Sequence, residues 1–177
     1  MRRIAMAVSA AVVVLAAAGC SSDEAGEQKN GGKAKDPTAA AVEAARVYQE
    51  ARNDRDWRRI CAMQTDRYRD GTVEACVAEN SKPTPTPSPS STGGPDRADT
   101  GPVKASSPVP VAAIGEHPAG TGVQVEFTVT WPTSSSTSRE ALRLVQQGDT
   151  WLVDQAEDIF DSDIAHGNPV HDALMRG

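Results

Sequence analysis

Between residues 122 and 131 the chain alternates without a break. Val123, Val125, Phe127, Val129 and Trp131 are apolar, and Gln124, Glu126, Thr128 and Thr130 between them are polar. Successive strand residues point to opposite faces of a sheet, so this period of two makes Gly122–Trp131 a strand with one core face and one polar face. The core face must be covered, and the strand needs neighbours. Val109–Ile114, apolar and in part β-branched, is one. Arg139–Gln146, with Leu142 and Leu144 on one face, is the next, reached after Pro132 through a turn over residues 134–138. Gln147-Gly148-Asp149 then turns the chain into Trp151–Asp154, its glycine supplying the positive φ a hairpin turn needs.

The cover comes from the first half. Asp36-Pro37 is a strong helix start: the carboxylate can cap free amides and proline suits the first helical position. Thr38–Asn53 follows, rich in alanine, with Val42, Ala45, Tyr48 and Arg52 at helical spacing. A second helical stretch runs from Asp56 to Met63 with Trp57, Ile60 and Cys61 on one side. Thr72 caps a third, which holds Val73, Cys76 and Val77 on one face. Helices first and an antiparallel sheet second give the α+β class.

The N-terminus determines where such a domain works. Arg2-Arg3, an apolar run over residues 4–18, then Gly19 and Cys20, have the layout of a secretory signal. The apolar run is short of the roughly twenty residues that span a bilayer core. Ala17-Ala18-Gly19-Cys20 resembles the lipobox of bacterial lipoproteins, although Ala17 stands where leucine is commonest. That resemblance implies loss of residues 1–19, a diacylglyceryl group on Cys20, and anchorage to the outer face of the cell membrane. Two acyl chains suffice for stable anchoring, at about 0.8 kcal/mol per buried methylene. The arginine pair also suits twin-arginine export, loosely. Residues 20–36 contain no large apolar side chain beyond Cys20 and read as a flexible tether.

Charge excludes one class of partner. The whole chain carries a net −6; without Arg2 and Arg3 it has 16 basic and 24 acidic residues, a net of −8. Nucleic acid demands a basic footprint and is excluded. Cys61 and Cys76 remain as an even pair in an exported protein, and a disulfide between them is the natural expectation. It would contribute about 3 kcal/mol by loop-closure entropy. The rival reading, a redox or metal pair, lacks both the Cys-x-x-Cys spacing and a nearby histidine.

Residues 81–95 are Pro, Ser, Thr or Gly at 14 of 15 positions. Such a stretch has no hydrophobic period and joins no core. It continues as loose chain to residue 102, either as a linker between two domains or as a loop inserted in one. Residues 37–80 alone are too few to stand without a sheet, which favours a disordered inserted loop at 81–102 within a single domain, 37–158. Its Ser/Thr-Pro pattern resembles O-glycosylated segments. Residues 159–177 read as a polar tail.

The order of elements resembles the NTF2-like (cystatin-like) superfamily, in which a curved sheet wraps a long N-terminal helix. The likeness rests on the alanine-rich helix from Pro37, on Trp57-x-x-Ile60-Cys61, and on the closing hairpin to Trp151-Leu152-Val153-Asp154. The paired cysteines are similar to those of small secreted NTF2-like lipoproteins of high-GC Gram-positive bacteria. The resemblance implies a cavity between sheet and helix, and in some members an inward Asp and His as an acid–base pair. His117 lies in a turn, and His166 and His171 lie in the polar tail, so none is expected to face that cavity.

No other catalytic pattern is present. The acidic stretch at 158–163 with His166, His171 and Asp172 lacks the glycine and closing glutamate of a calcium loop, and a solvated tail is the simpler reading. There is no P-loop, no Gly-x-Gly-x-x-Gly and no Gly-x-Ser-x-Gly. Neither metal nor cofactor is expected. Tyr48, Trp57, Phe127, Trp131 and Trp151 could line an apolar pocket, though such residues more often fill a small core. The reading is a non-catalytic, lipid-anchored binding module outside the cell membrane, taking an envelope protein or a small apolar ligand. A carrier of lipid or apolar ligand, and an NTF2-like enzyme of the hydrolase, isomerase or dehydratase kind, are the alternatives.

Overall fold

The chain opens with α1 (Pro37–Asp54), capped by the Asp36 carboxylate, which accepts from the amide of Thr38 at 3.0 Å. In this computed structural model the described residues are 36–82, 99–106 and 108–176. Cys20, the leader and nearly all of the tether lie outside them, as do residues 83–98 of the expected loop. Arg55 ends α1 in a left-handed conformation (φ 58°). Three short helices follow, α2 (Trp57–Ala62), α3 (Asp66–Arg69) and α4 (Val73–Asn80). Asp56, Thr65 and Thr72 cap them, each side chain accepting from a backbone amide at its helix start. Cys61 and Cys76 are joined, with 6.0 Å between their Cα atoms.

The second half is a curled antiparallel sheet, so the fold is a mixture of helix and strand. Its strands are β1 (Asp99–Thr100), β2 (Lys104–Ala105), β3 (Val109–Val111), β4 (Gly120–Trp131), β5 (Ser134–Gln147) and β6 (Thr150–Asp158). β1, β2 and β3 each pair with β4 at successive positions, forming one interrupted edge; β5 and β6 follow on the other side. Pro102 and Pro108 fall in the breaks of that edge, and Pro110 lies within β3 opposite Thr121. Proline cannot donate to a ladder and is tolerated only at such a margin.

Two features correct the sequence reading of this half. Residues 134–138 are not a turn: Trp131 pairs with Ser134, so the turn is Pro132-Thr133 and β5 begins directly after it. Residues 99–102 are not wholly loose chain either. Asp99 and Thr100 pair with Thr130 and Val129, and Val103 beyond them is buried. Short pairing partners leave no periodic signature, because the far strand supplies the hydrophobic order.

Adjacent residues of β5 separate two buried clusters. Leu142 and Leu144 join Val123, Val125, Phe127 and Val153 with Ala45, Tyr48 and Ala51 of α1. Ala141 joins Val111, Ile159, Val170, Ala173 and Leu174. Since neighbouring strand residues face opposite ways, both faces of the sheet are covered here. The second cover is the segment read as a polar tail, which forms α5 (Asp161–His166) and α6 (Pro169–Leu174). Its apolar residues are few, but Val170, Ala173 and Leu174 fall three and four apart and so share one helical face. Arg176 ties the end down, pairing with the Asp163 carboxylate at 2.5 Å and donating to the Asp158 carbonyl at 2.6 Å.

Candidate functional site

The interrupted edge and the C-terminal helices enclose a cleft of about 490 Å³. Ser106, Val109, Pro110 and Gln124 form one wall and residues 167–171 the other. The walls follow from local sequence. Pro108 and Pro110 keep the edge extended, and Gly167 turns the chain between α5 and α6 at φ 88°. Gly122 sets how closely they approach, because a Cβ there would lie 2.7 Å from Val170 Cγ1 and 3.1 Å from Leu174 Cδ1. Val109, Pro110 and Val170 give the cleft an apolar surface, and Ser106, Gln124 and Asn168 give it polar groups. Asn168 stands at the start of α6 without capping it through its side chain, so its amide is not consumed by the helix. Among the described residues His171 is the one titratable side chain in the lining, and its Nδ1 lies 3.2 Å from Asp172 Oδ1.

A second constellation centres on Asp154. In the β5–β6 ladder Arg143 faces Gln155 and Leu144 faces Val153, so Asp154 is the extra residue of a bulge. A bulge re-aims the side chain it carries. Asp154 leaves the sheet pattern and is buried with three partners: the Thr65 hydroxyl donates at 2.8 Å, Arg67 Nη2 donates at 2.7 Å, and His117 Nδ1 lies 3.1 Å away. Burial alone would push this carboxyl up. The bonds from Arg67, Thr65 and His117 outweigh it and hold the group below the usual aspartate range. Arg67 also donates to the Asp154 carbonyl. The edge of β6 beside it is closed by backbone: Val153 donates to Met63 at 2.8 Å and accepts from Thr65 at 2.9 Å. The Asp154 group and the cleft share no residue.

Arg143, a buried cation, is the centre of a third constellation. Its side chain is fully buried, and among the described residues no carboxylate forms an ion pair with it. It donates to the carbonyls of Ala112, Pro118 and Leu174 at 2.7, 2.8 and 3.2 Å, and to Gln155 Oε1 at 2.9 Å. One guanidinium therefore joins the 112–118 loop, the sheet and the end of α6. On the α1 side, Arg52 pairs with Glu140 and stands 5.9 Å from the centre of the Tyr48 ring. Gln64 donates to the Tyr48 hydroxyl at 3.0 Å, and burial pushes the Tyr48 and Tyr68 phenols up.

The residues singled out by sequence are dispersed. Tyr48 and Phe127 are buried in the α1-side cluster, and Trp57 and Trp151 pack against it half-buried. Trp131 is exposed at the far end of β4. Trp151 lines a second cleft, of about 320 Å³, with Thr38 and Pro108–Pro110. His117 departs from its expected isolation: the turn that carries it delivers the ring to Asp154. His166 and His171 sit on helices rather than in a tail, and both approach Asp172. Thr65, Arg67 and Asp154 were invisible as a site. Thr65 and Arg67 lie 89 and 87 residues from Asp154 in the chain, and only the out-of-phase Asp154 after Trp151-Leu152-Val153 hints at a bulge. Compared with models of protein families, with curated proteins and with solved structures, the chain matches none.

Proposed function

We propose that this chain is an extracytoplasmic lipoprotein whose NTF2-like domain is a non-catalytic binding module. The observation that carries the binding role is the cleft between Ser106–Pro110 and Gly167–His171. Its volume of about 490 Å³ suits a small ligand. Its apolar surface and polar groups suit an amphiphilic one. Among the described residues His171 is the one titratable side chain that lines the cleft, and its carboxylate neighbour Asp172 stands outside the lining. The buried cluster shared by α1 and the three long strands supports the NTF2-like reading. The joined Cys61 and Cys76 support an oxidising compartment, and the lipobox resemblance at Cys20 supports anchorage through a diacylglyceryl cysteine.

A second reading, an enzyme, draws on the His117–Asp154 pair, in which a carboxylate orients an imidazole. The test for both is native mass spectrometry of protein extracted from its host envelope, beside Ser106→Trp, whose side chain fills the cleft. A co-purified small molecule on the parent chain and none on the variant is the expected result. A hydrolytic or isomerase activity retained in Ser106→Trp and lost in His117→Gln would overturn the non-catalytic reading.

A further inference from the structure

The helix α4 is joined to the rest of the molecule by little. None of its eight residues is buried, and α2 is the element it packs against. Its polar contacts stay at home. Thr72 caps the amide of Ala75 at 3.2 Å, Asn80 donates to the Cys76 carbonyl at 2.8 Å, and Lys82 pairs with Glu79. Among the described residues, the one polar contact that leaves residues 72–82 from α4 is that of Cys76 Sγ with Gln64 Oε1, 3.7 Å apart. Neither buried cluster contains a residue of α4.

An eight-residue helix does not hold itself together in water. Its few propagation steps do not offset nucleation, and helices below about 12 residues are marginal even in alanine-rich sequences. Something outside α4 must therefore hold it folded. The covalent bond to Cys61 is the contact of that strength. Cys61 is fully buried on α2, whereas Cys76 on α4 is half-buried.

We propose that the Cys61–Cys76 disulfide is a releasable latch, and that a dithiol reductant frees and melts α4 while the sheet stays folded. The reductant's thiolate attacks Cys76 Sγ, the more accessible sulfur. The S–S bond breaks and Cys61 leaves as a thiolate, which takes a proton from solvent. The reductant's second thiol then displaces Cys76. The reductant ends as a disulfide, and both cysteines end as thiols. The face of α2 that carries Cys61 loses its cover. The sheet keeps both of its clusters, because α4 contributes to neither.

Hydrogen exchange of the full chain, oxidised and after treatment with dithiothreitol, tests this, with the two thiols counted by mass. Amides of residues 74–80 are expected to exchange at least tenfold faster after reduction. Those of residues 120–131, 140–147 and 150–158 are expected to change less than twofold. Unchanged protection of 74–80 with both thiols free overturns the proposal. Loss of protection across the strands overturns it equally, since the bond would then hold the whole domain. Cys76→Ser under oxidising conditions should repeat the local pattern. A variant whose strands are unprotected counts against the latch in the same way.

Discussion

Arg143, in the middle of the sheet, donates a hydrogen bond to the carbonyl of Leu174 at the end of the last helix. The same guanidinium holds Ala112 and Pro118 of the loop before β4. Replacing it with methionine keeps much of the volume and removes every one of these donors. Leu174 and Gln155 are buried, and buried acceptors left without partners cost about 1–3 kcal/mol each, whereas Ala112 and Pro118 are exposed and water can take the donor's place. Arg143→Met should therefore lower stability by about 3 kcal/mol, as read by urea denaturation. A loss under 1 kcal/mol would show that water or repacking replaces the guanidinium.

Gly122 sits where the sheet meets α6, with no room for a Cβ beside Val170 and Leu174. Its φ is unexceptional, so the demand is for space, not for backbone freedom. Gly122→Ala should cost about 1–3 kcal/mol, the usual range for overpacking. Trimming the facing side chain should relieve it. In a double-mutant cycle, Gly122→Ala with Val170→Ala should cost less than the sum of the two single changes. Strict additivity would mean that the helix shifts freely away from the strand.

Asp154 makes the domain sensitive to acid. Its folded-state pKa lies below the value of about 3.9 for an unfolded aspartate. The stabilisation is thus fully present above about pH 5, a unit over the unfolded value, and is lost as pH falls through the lower, folded value. Asp163, held down by the Phe160 amide and Arg176, acts in the same direction. Unfolding free energy should therefore fall from pH 5 to pH 2. Asp154→Asn should be less stable at pH 6 and should show a shallower fall. Parallel curves for the two proteins would remove Asp154 from this account.

Cys20→Ala should release the protein from membranes into the soluble extracytoplasmic fraction. Continued sedimentation of the variant with membranes would rule out anchorage through that residue.

The alternation over Gly122–Trp131, the caps at Asp36 and Thr72 and the turn at Gly148 were legible in the sequence because each depends on residues a few positions apart. Pleat period, capping geometry and positive φ are local properties. The α+β class and the run of helices into strands follow from them.

The tertiary structure alone decided the rest. It determined that the second face of the sheet is covered, because Val170, Ala173 and Leu174 become a core only once Ala141 and Gly122 lie opposite them. It determined that His117 meets Asp154, because a bulge turns one residue of β6 out of register toward a distant loop. It determined that Arg143 is buried among carbonyls, which no local pattern announces. These arrangements depend on which distant backbone segments come together, and hydrophobic periodicity within a segment does not specify its partner.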